Sequence, residues 1–147
     1  MKMKEQQEKI LSTLKEWETK EKESASLIEE VKERCGNPLI CLLMDVLEND
    51  ARTHSRVMEM VRDSFERRPF TFSVDEIGEI IELIRKHTEI KGQQVQMAEE
   101  VLAKVTDKNL HLQTFLLKGL LADEYKHREM LEGIEKVRAS LYPYWPH

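Results

Sequence analysis

Residues that interrupt helices are scarce in this chain, and so are aromatic residues. Of its 147 residues, five are glycine, four are proline and 6% are aromatic, whereas 35% are charged. Glutamate, lysine and leucine are abundant, and these residues form helices readily. The composition therefore favours long amphipathic helices over sheets, and the length favours one domain with one core.

Cysteine is also rare, because the chain has only Cys35 and Cys41. The two lie six residues apart, and the sequence contains no Cys-x-x-Cys motif. A rubredoxin-type iron centre needs four cysteines, so this sequence does not contain one. We expect both side chains to be reduced thiols that pack among other residues in a reducing compartment.

The sequence has no long apolar run and no concentrated positive charge. No run approaches the roughly 18–20 residues of a membrane span, and MKMKEQQEKI has no signal-peptide apolar stretch. The net charge is −5, with lysine and arginine spread along the chain. We therefore expect a cytoplasmic protein that binds neither nucleic acid nor membranes. Glycine-rich phosphate loops and the G-x-S-x-G motif are also missing, which argues against the corresponding enzyme classes.

Apolar residues recur every three or four positions in four segments, and this pattern predicts four helices. We place them at about 4–35, 38–67, 74–105 and 110–141. Asn37 and Pro38 provide an N-cap and a first-turn proline for the second helix. After the fourth helix, prolines prevent residues 142–147 from staying helical, and this aromatic tail is either a flap or a dimer contact. The order of segments predicts an all-α four-helix bundle.

The two halves of the sequence resemble each other. Glu29–Val31 recurs 70 residues later as Glu99–Val101, and an Asp-x-x-x-His pair recurs at an offset of 73 residues. This repetition predicts a duplicated helical hairpin. The linker between the hairpins is short, and its route leaves open the relative direction of the second and third helices.

Several ionisable residues fall inside the apolar stripes when the helices are built at about 100° per residue. They are Glu21, Asp50, His54, His87, Lys91, Asp123 and His127, with Glu124 at the edge of the fourth stripe. Counting outward from each turn places Glu21 level with His54, and Lys91 level with Glu124. Ionisable groups in a core are costly unless they pair or bind a metal ion, so a polar centre is predicted here.

At these residues the chain resembles the ferritin-like superfamily, in particular its small rubrerythrin-related members without a rubredoxin domain. The strongest likeness lies in residues 89–101 and 120–131, and the likeness covers about residues 4–140. The family's di-metal centre takes one glutamate from each of two helices and Glu-x-x-His from each of the other two. The resemblance implies a ferritin-like bundle, non-haem iron oxidoreductase chemistry with oxygen or peroxide, and a homodimer.

Four of the six ligand positions that this resemblance implies are occupied as expected. They are Glu21, His54, Glu124 and His127. Ala51 stands where the second helix should carry glutamate, although Asp50 also faces His54 and can compensate. Lys91 stands where the third helix should carry glutamate, and its ammonium repels a cation and can pair with the remaining acids. His87, one turn before Lys91, is a further candidate ligand.

Two interpretations of this centre follow. In the first, the chain binds a transition metal, with iron favoured over manganese and zinc, because carboxylate and imidazole ligands suit these ions. The candidate ligands are Glu21, Asp50, His54, His87, Asp123, Glu124 and His127, where Asp123 is either a ligand or a partner that orients an imidazole. In the second, Lys91, the acids and the histidines form a metal-free hydrogen-bonded network, and the bundle has a structural or interaction role.

Overall fold

The computed structural model describes residues 2–67 and 74–141. They form four helices: α1 (Lys2–Arg34), α2 (Pro38–Glu66), α3 (Val74–Asp107) and α4 (His111–Leu141). No strand occurs among the described residues, which confirms the all-α fold class. Every helix begins and ends within two residues of its predicted bounds. The linker 68–73 and the predicted aromatic tail 142–147 lie outside the described residues.

The chain divides into two compact units, Met1–Thr71 and Phe72–His147. In the first unit α1 packs against α2, and in the second α3 packs against α4. We call the α1–α2 pair the first hairpin and the α3–α4 pair the second hairpin. This agrees with the predicted duplication of a helical hairpin. The single domain and the ferritin-like arrangement of all four helices stay predictions.

The turn of the first hairpin is short because Asn37 caps α2 directly. Its Oδ1 accepts hydrogen bonds from the backbone N–H groups of Leu39 (2.9 Å) and Ile40 (3.3 Å). Pro38 takes the first helical position, where the missing N–H would have no partner within the helix. The predicted N-cap and first-turn proline of α2 are therefore confirmed.

The turn of the second hairpin uses a different device, a left-handed residue. Asn109 has a φ of 55°, a region that asparagine tolerates better than most residues. The N–H of Asn109 donates to the carbonyl of Thr106 (3.0 Å), and that of Leu110 donates to Val105 (3.2 Å). These two bonds form a Schellman motif and satisfy carbonyls at the end of α3. As a result α3 extends two residues beyond its predicted end.

Each hairpin buries a narrow line of apolar side chains. The buried residues are Ile28 and Met58 in the first hairpin, and Ile77, Ile81, Ile84 and Val95 in the second. Other residues of the predicted apolar stripes, such as Trp17 and Leu112, are exposed in the structure. A contact between two helices covers only the residues along their line of closest approach, which is narrower than the apolar stripe of either helix.

The remaining fold-level expectations concern membranes and cysteines. None of the helices in the described part of the chain has the length and apolar character that a membrane span needs. Cys35 and Cys41 are free thiols and half-buried, as predicted. The Cys41 thiol donates a hydrogen bond to the Cys35 carbonyl at 3.4 Å, so both contribute to the turn of the first hairpin.

Candidate functional site

Ion pairs set the register of the first hairpin. On the side away from the turn, the Arg62 guanidinium lies 2.7 Å from the carboxylate of Glu18, at the middle of α1. Near the turn, the Lys32 ammonium lies 2.6 Å from both Asp45 and Glu48. These bonds raise the pKa of Lys32, chiefly through Asp45, and the Lys32 hydrogen bond lowers the pKa of Glu48. These ion pairs lie on either side of Glu21 along α1, so they fix which residues of α2 face it.

Glu21 and His54 meet at the same level, as the residue count predicts. The Nδ1 atom of His54 lies 3.5 Å from Oε1 of Glu21. The Glu21 side chain is 17% exposed, whereas that of His54 is 54% exposed, so the imidazole enters from the edge of the hairpin. Asp50 is half-buried one turn before His54 on α2. The contact is longer than a strong hydrogen bond.

A cavity of about 220 Å³ lies beside Glu21 in the first hairpin. Ala51 lines it, at the position where the ferritin-like pattern has a glutamate, and so do Glu48 and Ser55. The small alanine side chain therefore leaves space next to the acid–imidazole pair. The lining carries charges of both signs, because Lys22 and Arg52 accompany the acids Glu21, Glu29 and Glu48.

At the corresponding level of the second hairpin, an ion pair joins α3 and α4. The Lys91 ammonium donates a hydrogen bond to Oε2 of Glu124 at 3.3 Å. Both side chains are well shielded, at 15% and 14% exposed, whereas the Arg85–Glu135 pair of the same hairpin is 39% and 35% exposed. The predicted level of Lys91 with Glu124 is therefore confirmed, and the acid of the Glu-x-x-His sequence on α4 already has a cationic partner.

The other candidate residues of the second hairpin lie around this pair. The Asp123 carboxylate lies 3.4 Å from the Lys126 ammonium on its own helix. His127 is half-buried, but His87 is exposed, so the prediction that His87 faces inward is wrong. The contact line between α3 and α4 is narrower than the apolar stripe and does not cover this residue. The two acids that are adjacent in the sequence thus have different partners, because Glu124 contacts α3 and Asp123 contacts the next turn of α4.

The donor groups suit a metal ion in one hairpin better than in the other. In the first, a carboxylate oxygen and an imidazole nitrogen lie close together, and both are donors that iron, manganese and zinc accept. In the second, Glu124 already pairs with the Lys91 ammonium at 3.3 Å. Within residues 2–67 and 74–141, three or more Cys, His, Asp or Glu side chains do not gather in a group that could hold a metal ion. The seven-residue ligand set stays a prediction.

One interaction near the candidate site was not predicted from the sequence. The Tyr125 hydroxyl donates a hydrogen bond to the Glu99 carboxylate, which raises the pKa of Tyr125. The Arg128 guanidinium lies 5.2 Å from the centre of the Tyr125 ring, a cation–π distance. Tyr125 follows Glu124 directly and lies outside the apolar stripe of α4, so the spacing pattern carries no signal for this contact.

Comparison with protein-family models, curated proteins and solved structures finds no match to this chain. The resemblance to the ferritin-like superfamily therefore stays a prediction from the residues quoted above.

Proposed function

We propose that this chain is a ferritin-like, rubrerythrin-related protein that binds a divalent transition metal ion through acid–histidine groups. The observation that supports this most is the separation of 3.5 Å between Glu21 Oε1 and His54 Nδ1. Two ligand atoms that each lie about 2.1 Å from one tetrahedral ion are about 3.4 Å apart. The first hairpin thus holds two donors at nearly the separation that a shared ion requires.

The residues of the first hairpin have distinct roles in this proposal. Glu21, the more buried partner, supplies an anionic oxygen from α1, and His54 supplies a nitrogen from α2. Asp50 lies one turn before His54 on the same helix and supplies a third donor once its side chain turns toward the pair. The cavity at Ala51 leaves space for water or a small substrate beside the ion. Bound iron would supply oxygen or peroxide chemistry, which would make the protein a non-haem oxidoreductase.

The proposal extends to the second hairpin, to the cell compartment and to the oligomer. His87, Asp123, Glu124 and His127 are the donors available in the second hairpin. Free thiols at both cysteines are consistent with a reducing cytoplasm. Assembly as a homodimer belongs to the ferritin-like resemblance and is part of the same proposal.

Elemental analysis of protein purified without chelator tests the proposal. After anaerobic loading with Fe²⁺ or Mn²⁺ and removal of excess ion, we expect from a fraction up to about two ions per chain. His54→Ala should lower this content, whereas His111→Ala at the start of α4 should not. Less than about a tenth of an ion per chain after loading would contradict the proposal. Equal loss in the two variants would show that the ligands are assigned to the wrong faces.

A metal-free structural or interaction role is the second candidate, and the Lys91–Glu124 pair favours it. This pair already neutralises one of the shielded acids without any ion. If the first hairpin also retains no metal after loading, the acids and imidazoles serve as a hydrogen-bonded network instead. The same elemental analysis therefore separates the two functions.

A further inference from the structure

Equivalent levels of the two hairpins carry opposite charges on their first helices. Through the 70-residue offset of the repeat, Lys91 on α3 is the counterpart of Glu21 on α1. Through the 73-residue offset, Glu124 on α4 is the counterpart of Ala51 on α2. The first hairpin therefore pairs a carboxylate with an imidazole beside a cavity, whereas the second pairs an ammonium with a carboxylate.

The surroundings of the Lys91–Glu124 pair strengthen its effect on any added cation. The side chains of Lys91 and Glu124 are 15% and 14% exposed, so water screens their charges less than it screens the charges of an exposed pair. Oε2 of Glu124 lies 3.3 Å from Nζ of Lys91 and accepts a hydrogen bond from it. The lone pair used in this hydrogen bond is not available to a metal ion. A divalent ion bound to Glu124 would also lie close to the positive charge of Lys91, which repels it.

We infer that Lys91 is an internal competitor for Glu124, which lowers the affinity of the second hairpin for divalent metal ions. The first hairpin, in which Glu21 contacts the His54 imidazole rather than an ammonium, then loads before the second. This inference rests on the proposed metal-binding function. It adds that the two hairpins bind metal ions in a fixed order and that Lys91 determines this order. An ion binds the second hairpin only by displacing the ammonium from Glu124.

Titration of the metal-free full chain with Co²⁺, followed by visible absorption and elemental analysis, tests this inference. We expect two steps in the wild type, with the weaker step at the second hairpin. Lys91→Gln removes the charge and should tighten the weaker step about tenfold or more. Lys91→Arg keeps the charge and should leave that step weak, and Lys91→Gln combined with Glu124→Gln should abolish the gain.

Lys126→Gln is the matched control, because it removes a lysine that pairs with a neighbouring candidate ligand. Lys126 lies 3.4 Å from Asp123 but is 45% exposed, so solvent screens its charge. We expect it to change the weaker step less than about threefold. An equal gain from Lys126→Gln and Lys91→Gln would overturn the inference, since general removal of positive charge would then account for it.

A second measurement uses the wild type and does not depend on the folding of a variant. Acetylation of each lysine with a small amine-reactive reagent is followed by mass spectrometry with and without saturating Co²⁺. Displacement of Lys91 from Glu124 should increase its modification several-fold, while Lys20 in an exposed pair on α1 should not change. Unchanged modification of Lys91 when two ions per chain are bound would overturn the inference.

The outcomes separate this inference from the proposed function. If the wild type binds Co²⁺ but Lys91→Gln and Lys91→Arg both leave every step unchanged, the inference fails and metal binding stands. If the wild type binds no ion but Lys91→Gln gains one that Glu124→Gln removes, the competition stands and metal binding by the first hairpin fails. Absence of binding in every variant overturns both.

Discussion

The two hairpins share a helix–turn–helix arrangement, but they differ in packing and in the charged residues halfway along their helices. Among the side chains that the structure describes, the second hairpin buries four apolar ones, whereas the first buries Ile28 and Met58. Halfway along its helices, the second hairpin has a shielded ion pair, Lys91–Glu124. The first hairpin has the Glu21–His54 contact beside a cavity. The comparison indicates that one helix–turn–helix arrangement accommodates an acid–imidazole contact beside a cavity in one hairpin and a shielded ammonium–carboxylate pair in the other.

The difference in packing gives the largest expected effect. Ile77→Ala removes a side chain that is 3% exposed in α3, and we expect the free energy of unfolding to fall by about 2–5 kcal/mol. Ile80→Ala on the same helix, where the side chain is 44% exposed, should cost clearly less. Urea unfolding followed by circular dichroism measures both. Equal losses would mean that the line of contact between α3 and α4 is assigned to the wrong face.

The second prediction concerns the negative charge of Glu21 in the first hairpin. Glu21→Gln keeps the size of the side chain but removes the anionic donor next to His54, so Co²⁺ affinity should fall about 10- to 100-fold. Glu23→Gln is the control, because Glu23 forms an exposed pair with Lys20 on the same helix. Isothermal titration with Co²⁺ compares the variants. A similar loss in both would show that overall charge, rather than the Glu21–His54 contact, governs binding.

The third prediction concerns the closed level of the second hairpin. Glu124→Gln leaves the Lys91 ammonium shielded without its carboxylate, so the free energy of unfolding should fall by about 1–2 kcal/mol. Asp123→Asn should have a smaller effect, because the Asp123–Lys126 pair is about half exposed and lies on one helix. Thermal unfolding in the absence of metal checks this order. A larger loss from Asp123→Asn would remove the basis for treating Lys91–Glu124 as the central pair.

The smallest expected effect is a pH dependence near the turn of the first hairpin. The hydrogen bond from Lys32 lowers the pKa of Glu48 in the folded state. Ionised Glu48 therefore stabilises the folded state above its unfolded pKa, and this stabilisation is lost as the pH falls through the folded pKa. The difference in melting temperature between wild type and Glu48→Gln should be largest near neutral pH, should shrink as the pH falls below about 4, and should close below the lower folded pKa. Glu30→Gln, which affects an exposed pair with Arg34, should show little difference at any pH.

Helix bounds and turn chemistry were predictable because they depend on local sequence. A period of three to four apolar residues fixes where each helix extends, and Asn37 with Pro38 marks where α2 begins. The levels of Glu21 with His54 and of Lys91 with Glu124 follow from counting outward from a short turn. Each of these inferences uses only the regular rise of a helix and a turn of known length.

The exposure of each side chain and its ion-pair partner were not predictable in the same way. Helical phase predicts which side of α2 carries His54, but not that its side chain is 54% exposed, because exposure depends on how much of that side α1 covers. For the adjacent acids Asp123 and Glu124, the residue count places Glu124 level with Lys91, but the apolar stripe places Asp123 inward and Glu124 at its edge. The stripe is wrong in this detail, because Glu124 is 14% exposed and Asp123 is 43% exposed. The choice of ion-pair partner depends on side-chain rotamers, and the structure assigns Glu124 to Lys91 and Asp123 to Lys126.

The short turn at residues 35–37 has a consequence for how the protein emerges from the ribosome. Contacts between α1 and α2 join segments that are close in sequence, and local contacts of this kind form within microseconds to milliseconds. Translation at about 5–20 residues per second needs several seconds to produce α3 and α4. We therefore expect the N-terminal pair of helices to dock while the C-terminal half is still being synthesised.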